Sequence, residues 1–469
     1  MSKLVESLQE AIKLAGLKDG MTISFHHHLR NGDFVLNMVM DVIAEMGIKN
    51  LTINASSIHD AHEPLIKHIQ SGVVTGIETA YMSKAVGKVI SSGQLKKPVT
   101  FKTHGGRAAD IISGKSKIDV SFIAAPTADD MGNFTGKIGP AACGSLGYAY
   151  ADAEFSCKTI VITDNLVPYP LTNFSIPEIY VDYVVKVPSI GDPNGIASAT
   201  TKLTRNPVAL RIASYAVRCI EASGYLKDGF AFQTGAGGAS LATASYLKDI
   251  MLQKKIVGSY IMGGVTGYLV DLLEAGCFNS IMDIQCFDLK AIESIRTNPK
   301  HKEVSAAHYA GPKPAVKSCL TDGLDVVVLG ATEIDVNFNV NVHTDSNGII
   351  MGGSGGHSDT AAGAKMTVIV APLTRSRIPV VQKQVLYIST PGTDVDVLVT
   401  EKGIAVNPRR QDLKERFEQA GLPIIDINKL CEMAMKIVGP YKVAAKGEKT
   451  VAKIISRDGI LLDEIKNVL

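Results

Sequence analysis

Several short stretches of this chain combine residue types that can do chemistry. Gly352-Gly353-Ser354-Gly355-Gly356-His357 contains G-x-S-x-G, the pattern that raises a nucleophilic serine on a tight strand-to-helix turn. A serine hydrolase of that kind needs an acid and then a histidine further along the chain. His357 is the last histidine in the sequence and follows Ser354 almost at once, so chain order rules out the triad. Two readings remain for the stretch: a glycine loop whose amide hydrogens, from Gly352 to Gly356, face a developing oxyanion, or a structural turn. A second glycine-rich turn, Gln233-Thr234-Gly235-Ala236-Gly237-Gly238-Ala239-Ser240, follows an apolar run and opens a helical pattern through Leu247. Its N–H groups suit a phosphate or carboxylate held at Gly235, Gly237 and Gly238; the competing reading is again a tight turn. Ser240 stands where a dinucleotide fingerprint would have its third glycine.

The charged candidates are fewer. His104-Gly105-Gly106-Arg107 follows a short apolar run, and Arg107 there suits bidentate capture of a substrate carboxylate, with a surface salt bridge as the alternative. Phe25-His26-His27-His28-Leu29-Arg30 offers Arg30 as a second such cation. Three consecutive histidines on an extended segment cannot all face one ion. His59 and His62 lack a carboxylate–histidine set at known zinc spacing, so no metal site is expected.

The elements that must position these residues repeat. Leu17-Lys18-Asp19-Gly20 recurs as Leu226-Lys227-Asp228-Gly229. Ile118 to Ala125 is echoed by Leu324 to Ala331, and Gly144-Ser145-Leu146-Gly147 by Gly353-Ser354-Gly355-Gly356. Lys158 to Ile162 is echoed by Lys365 to Val370, and Val181 to Val185 by Val395 to Val399. The order is kept at an offset between 206 and 214 residues, the signature of a divergent duplication. Within each half, near-continuous apolar runs such as Leu51-Thr52-Ile53, Val99-Thr100-Phe101 and Val120 to Ala124 alternate with helical patterns, among them Asp33 to Met46 and Ala80 to Ser91. That alternation predicts an α/β fold of two tandem, related domains with mostly parallel sheets covered on both faces. The expected domains are residues 1–200 and 201–469, dividing near Gly195 to Asn206. Ligands of such sheets sit beyond the carboxyl ends of the strands, so a cleft between the halves is the expected active site.

Composition narrows the classes. The chain has 469 residues, 46% hydrophobic and 20% charged, with a formal charge of +2, which gives no electrostatic reason to expect nucleic acid or a membrane. Met1 to Gly16 reads as an amphipathic helix carrying Lys3, Glu6, Glu10 and Lys13, not as a signal peptide. The uncharged stretches Ile138 to Ala151 and Ile256 to Val270 are glycine-rich and short of the roughly 20 residues of a membrane span. Seven cysteines without a C-x-x-C pair suit a reducing cytoplasm. A soluble cytoplasmic protein is expected.

Thr22 to Arg30, His104 to Ala108, Cys143-Gly144-Ser145-Leu146-Gly147-Tyr148, Leu166 to Pro170 and Ile190-Gly191-Asp192-Pro193 resemble citrate lyase α subunits over nearly the whole chain. Gly352 to Gly356 with Asp359, and Asp394 to Gly403, resemble the wider CoA-transferase superfamily. The resemblance implies paired CoA-transferase-type domains and an exchange of acetyl for citryl on a thioester of CoA or an acyl carrier protein, the first step of citrate cleavage to acetate and oxaloacetate in citrate fermentation. It implies a β lyase subunit and a γ acyl carrier protein as partners, a homo-oligomer, and no tightly bound cofactor, with CoA or the carrier's CoA-derived arm as substrate. Many superfamily members use a nucleophilic glutamate just before a D-G dipeptide. The matching stretch, Ser259 to Gly267, holds Ile261 at about that place, in line with direct exchange through a mixed anhydride in a ternary complex. The alternatives are a covalent-glutamate transferase or acyl-CoA hydrolase that recruits Glu333, citramalate in place of citrate, and a non-enzymatic sensor on the same fold. A regulator of that last kind should carry a DNA-binding segment, and no basic helix-turn-helix pattern is evident at either terminus.

Overall fold

A computed structural model describes residues 2–197, 204–235, 237–441 and 445–468. The expected break between the halves, Gly195 to Asn206, lies partly outside the described residues. Apolar β-branched runs form two large sheets. In spatial order the first contains Leu4–Val5, Tyr183–Lys186, Lys158–Thr163, Val120–Ala124, Thr22–Phe25, Leu51–Ala55, Val74–Thr79, Val99–Phe101, Lys446–Ile455 and Leu461–Val468. The second contains His301–Glu303, Phe278–Cys286, Gly258–Val265, Phe232–Thr234, Val326–Gly330, Met366–Val370, Val397–Thr400 and Gly403–Val406. Pairing is parallel in both except at the hairpins Lys446–Ile455/Leu461–Val468 and Val397–Thr400/Gly403–Val406. Every residue of Val120–Ala124 and Met366–Val370 is buried, as sheets covered on both faces require.

Three local readings are corrected. The first residues are not one helix: Leu4–Val5 pairs with Val184 and Val185 as an edge strand, and Ser7 caps a helix that begins at Leu8. The helix expected from Ala80 begins at Lys84, because Ala80 to Met82 stay extended to receive the glycine loop described below. The last hairpin, placed by sequence in the second half, joins the first sheet through Val99–Phe101. A unit running from 201 to 469 therefore does not describe that pairing.

The repeat is visible in hydrogen bonds as well as in sequence. Asp19 accepts from Lys49 N–H and Asp228 from Val257 N–H, at 2.8 and 2.9 Å. Asp119 accepts from Thr22 N–H and Asp325 from Ala231 N–H, and Asp182 and Asp396 receive Thr159 and Thr367 N–H. Asp129 and Asp335 each fold a turn back on themselves through the N–H groups and the amide of Asn133 and Asn339. Each pair holds the start or the exit of equivalent strands, which explains why these aspartates survive divergence.

A second hydrophobic cluster joins the halves. Ala108, Ile111, Tyr148 and Ala151 of the first pack with Met262, Ile284, Tyr309 and Leu329 of the second. Gly105 lets helix His104–Ile112 lie directly on the Ala310 carbonyl, where a Cβ would collide. Arg107 on that helix is 2% exposed. It pairs with both Asp152 oxygens at 2.9 and 2.7 Å and donates to the Asn54 side chain and carbonyl. Removing one partner of such a pair strands the other charge. Arg107→Met is expected to cost about 3–5 kcal/mol in denaturant unfolding, and Arg107→Met with Asp152→Leu to recover more than half of that. Equal losses in the single and double variants would refute the pairing.

Candidate functional site

The two glycine loops are each held by the opposite half, in the same way. Gly355 N–H donates to the Ala80 carbonyl at 3.1 Å, and the Gly355 carbonyl accepts from His104 N–H at 3.0 Å. In the counterpart, Gly147 N–H donates to the Ile284 carbonyl at 3.2 Å, and the Gly147 carbonyl accepts from Ala306 N–H at 2.8 Å. A side chain is excluded at both: a Cβ on Gly353 would run into Ala80, and one on Gly147 into the Val304 and Ile284 carbonyls. Asp359, on the helix after the second loop, accepts from Gly105 N–H at 2.9 Å. Burial pushes its carboxyl up to about 6 against that bond.

Beside this junction lies a cavity of about 240 Å³. His104 and Tyr148 come from the first half; Gln233, Gly235, Gly237, Phe287, Tyr309, Gly356 and His357 come from the second. Strand Phe232–Thr234 ends at this cleft and Gly237 precedes helix Gly238–Lys254, so the turn stands at the cleft; the Gly235 N–H, expected as a free donor, is instead given to the Val328 carbonyl at 2.8 Å, and Ala236 falls outside the described residues. Gly238 opens the helix and faces Thr204. Among the described residues no aspartate or glutamate lines the cleft.

The structure redistributes the sequence-based candidates. Gly352 and Ser354 are buried. Gly355 N–H is committed to Ala80, and Ser354 N–H to His343 Nε2 at 3.3 Å. Gly356 is the member of the loop that lines the cleft, so the expected row of five donors contracts to it. Arg107 is turned away into the Asp152 pair, because an uncompensated guanidinium at that depth would be too costly. Arg30 does stand beside the cleft, its guanidinium 4.5 Å above the ring of Phe287 and bonded to the Ile196 carbonyl. Glu333 lies in a different cavity with Gln382, Tyr441 and Lys446, its carboxylate held by Asn341, Gln382 and Leu386 N–H. Ile261 is fully buried in its strand.

Sequence reasoning set the histidines aside as metal ligands and missed what they build together. His27 stacks at 4.6 Å on Tyr148 and stands 5.3 Å from His59 and 5.9 Å from His104, ring centre to ring centre. His28 Nε2 accepts from Tyr148 N–H, which leaves the proton of neutral His28 on Nδ1, donated to His26 Nδ1. His62 is fixed by Asp33 at 2.9 Å and accepts His59 N–H. His59 Nε2, His104 Nδ1 and Ser354 Oγ are buried with no partner among the described residues, and a buried polar atom without a partner is costly enough to need a reason. Among the described residues the Tyr148 hydroxyl has no protein partner either. Burial holds that phenol well above its usual range, so it remains a donor. The run Cys143 to Tyr148 was visible in sequence, but nothing local says which way its tyrosine points.

Among the described residues the one group able to gather around a metal is Asp283, Cys286 and His301, whose ligand atoms lie within 4.8 Å of one another. His301 and the Cys286 thiol both direct hydrogen bonds at the same Asp283 oxygen, and none of the three lines the cleft.

Burial keeps the clustered imidazoles neutral: His26 is lowered to about 4, His104 to about 3 and His357 to about 4. The unfolded chain then binds protons that the folded chain refuses, so stability present above pH 6.5 is lost as pH falls towards 4. Asp359, raised to about 6, opposes this with one group against several. The unfolding midpoint is expected to drop steadily between pH 6.5 and 4.5; a flat profile would contradict the buried neutral cluster.

Comparison with known proteins agrees with this architecture. The family described as citrate lyase, alpha subunit (CitF) matches residues 1–468. The citrate lyase alpha chain of Haemophilus influenzae is 47% identical over 99% of this chain and 93% of its own, and that of Escherichia coli 46% identical over 99% and 91%. A crystal structure described as the alpha subunit of citrate lyase in complex with citrate, from Streptococcus mutans, superposes with a TM-score of 0.98 at 49% identity, covering 100% of this chain and 92% of that one. A Pseudomonas malonate decarboxylase hetero-tetramer chain shares the fold at a TM-score of 0.69 and 16% identity, over 89% and 82%. The chain belongs to the citrate lyase α-subunit family.

Proposed function

We propose that this chain is the acyl-exchange subunit of a citrate lyase, replacing acetyl by citryl on a carrier thioester by direct attack within one ternary complex. The observation that carries the reading is a cleft built by both halves and lined, among the described residues, by amides, imidazoles and phenols with no carboxylate. Such a wall offers nothing to form an acyl-glutamyl anhydride, and the aliphatic Ile261 and triply bonded Glu333 support the same conclusion.

The thioester arm enters along Gly235, Gly237 and Gly238, its phosphate against the N–H groups that open helix Gly238–Lys254. Citrate seats beside Arg30 and the histidines around His27. One citrate carboxylate oxygen attacks the acetyl carbonyl carbon, the C–S bond breaks, and a thiolate leaves a mixed anhydride. The thiolate then attacks the citryl carbonyl; the C–O bond to acetate breaks, and acetate departs with its electron pair. Protons and electrons balance without water. Each addition puts negative charge on a carbonyl oxygen, for which the Gly356 N–H and the Tyr148 hydroxyl are the proposed donors; both residues line the cleft. The apolar wall of Phe287, Ile284 and Leu329 keeps water from the anhydride. The β lyase subunit and γ acyl carrier protein are the partners this role requires, in the cytoplasm, where citrate and the carrier meet. Among the described residues no helix is long and apolar enough to cross a membrane.

The purified chain, given acetyl-CoA and labelled citrate, is expected to release acetate and place the label in a citryl thioester, with no borohydride-trapped glutamate. Thioester consumption at the same rate without any tricarboxylate would mean hydrolysis and overturn the reading. Running the assay with citramalate decides between the two acids. Tyr148→Phe keeps the stack on His27 and removes one donor. Its kcat is expected to fall on the order of a hundredfold with KM little changed, and an unchanged kcat would remove Tyr148 from the mechanism.

A further inference from the structure

We infer that the imidazoles gathered around His27 take up protons when a polycarboxylate seats beside Arg30, so that the anion and its countercharge enter this site together. The inference rests on the reading above for its ligand and concerns how a mostly neutral site accepts three negative charges.

Fixed positive charge near the cleft is scarce. Arg107 is cancelled by both oxygens of Asp152, and Arg457 is paired with Asp322 at 2.8 Å. Arg30 remains, without a carboxylate partner among the described residues. A tricarboxylate against one guanidinium would bury uncompensated negative charge, which proteins avoid by changing protonation. The groups able to change are close by. His27 and His59 are 5% and 8% exposed with ring centres 5.3 Å apart, and His104 opens onto the cleft.

Within the protein the charged and imidazole neighbours of these three rings discourage charge on them. His27 faces His28, His59, His104 and Arg30; His59 faces Arg30 and His62; His104 faces Arg107. Asp33 is spent on His62 and two backbone N–H groups. Tyr81 and Tyr148 remain un-ionised, Tyr81 with Asp60 nearby, and Asp359 is engaged with Gly105. His59 Nε2 and His104 Nδ1 meanwhile have no partner among the described residues. An incoming carboxylate reverses the sign of the local field and supplies an acceptor for the N–H that a new proton creates.

Calorimetric titration of the whole chain with citrate at pH 8, where the free acid is fully ionised, tests this in buffers of widely different ionisation enthalpy. The apparent enthalpy is expected to vary with buffer by a slope of at least one proton taken up. Affinity should rise about tenfold per unit of pH lowered from 8.5 to 7.5, and the carboxyl carbon-13 resonances of bound citrate should stay at ionised positions. His59→Gln and His104→Gln are each expected to reduce the slope. Citrate binding with a slope of zero overturns the inference and leaves the exchange reading intact, as does uptake accompanied by protonated carboxyl resonances. No citrate binding at all overturns both.

Discussion

The arrangement depends on two backbone loops that exchange hydrogen bonds across the junction between the halves. Each loop must bring its main chain within bonding distance of an extended segment in the other half, and only glycine allows it. The Gly355 contacts with Ala80 and His104 and the Gly147 contacts with Ile284 and Ala306 are the same pair of bonds made twice. Because these are backbone bonds in a closely packed junction, they fix the spacing of the halves. The cleft inherits that spacing: Tyr148 follows Gly147 directly, and Gly356 follows Gly355.

The same constraint explains the charge pattern. A junction this closely packed cannot hold free ions, so Arg107 is neutralised by Asp152 within its own half, and Asp359 sits against a backbone N–H. Apart from Arg30 beside it, what reaches the cleft is neutral: imidazoles lowered by burial, protonated phenols and amides. Such a site is poorly suited to hold a charged nucleophile of its own and well suited to stabilise charge that substrates bring and pass on.

Duplication with divergence produced the asymmetry that makes one site of two equivalent junctions. The aspartates that tie strand ends are kept in both halves. The loops after the first strand of each repeat are not: one became His26 to Arg30, the other the glycine turn at Gly235. One side thus supplies polar rings and a cation, the other a glycine turn at the start of a helix.

By itself the sequence determined the class of fold, the repeat, the turn positions and the lack of a glutamate at Ile261. These are encoded locally, through periodicity, glycine at turns and aspartate at strand ends. Tertiary structure alone decided that Arg107 faces Asp152 and not a substrate, and that the last hairpin closes the first sheet. It also decided that His27, His59, His104 and Tyr148, scattered over more than a hundred residues, stand ring against ring. The physical reason is the same in each case: which partner compensates a buried charge, or fills a space beside an imidazole, depends on how distant segments are brought together, and spacing along the chain carries no record of that.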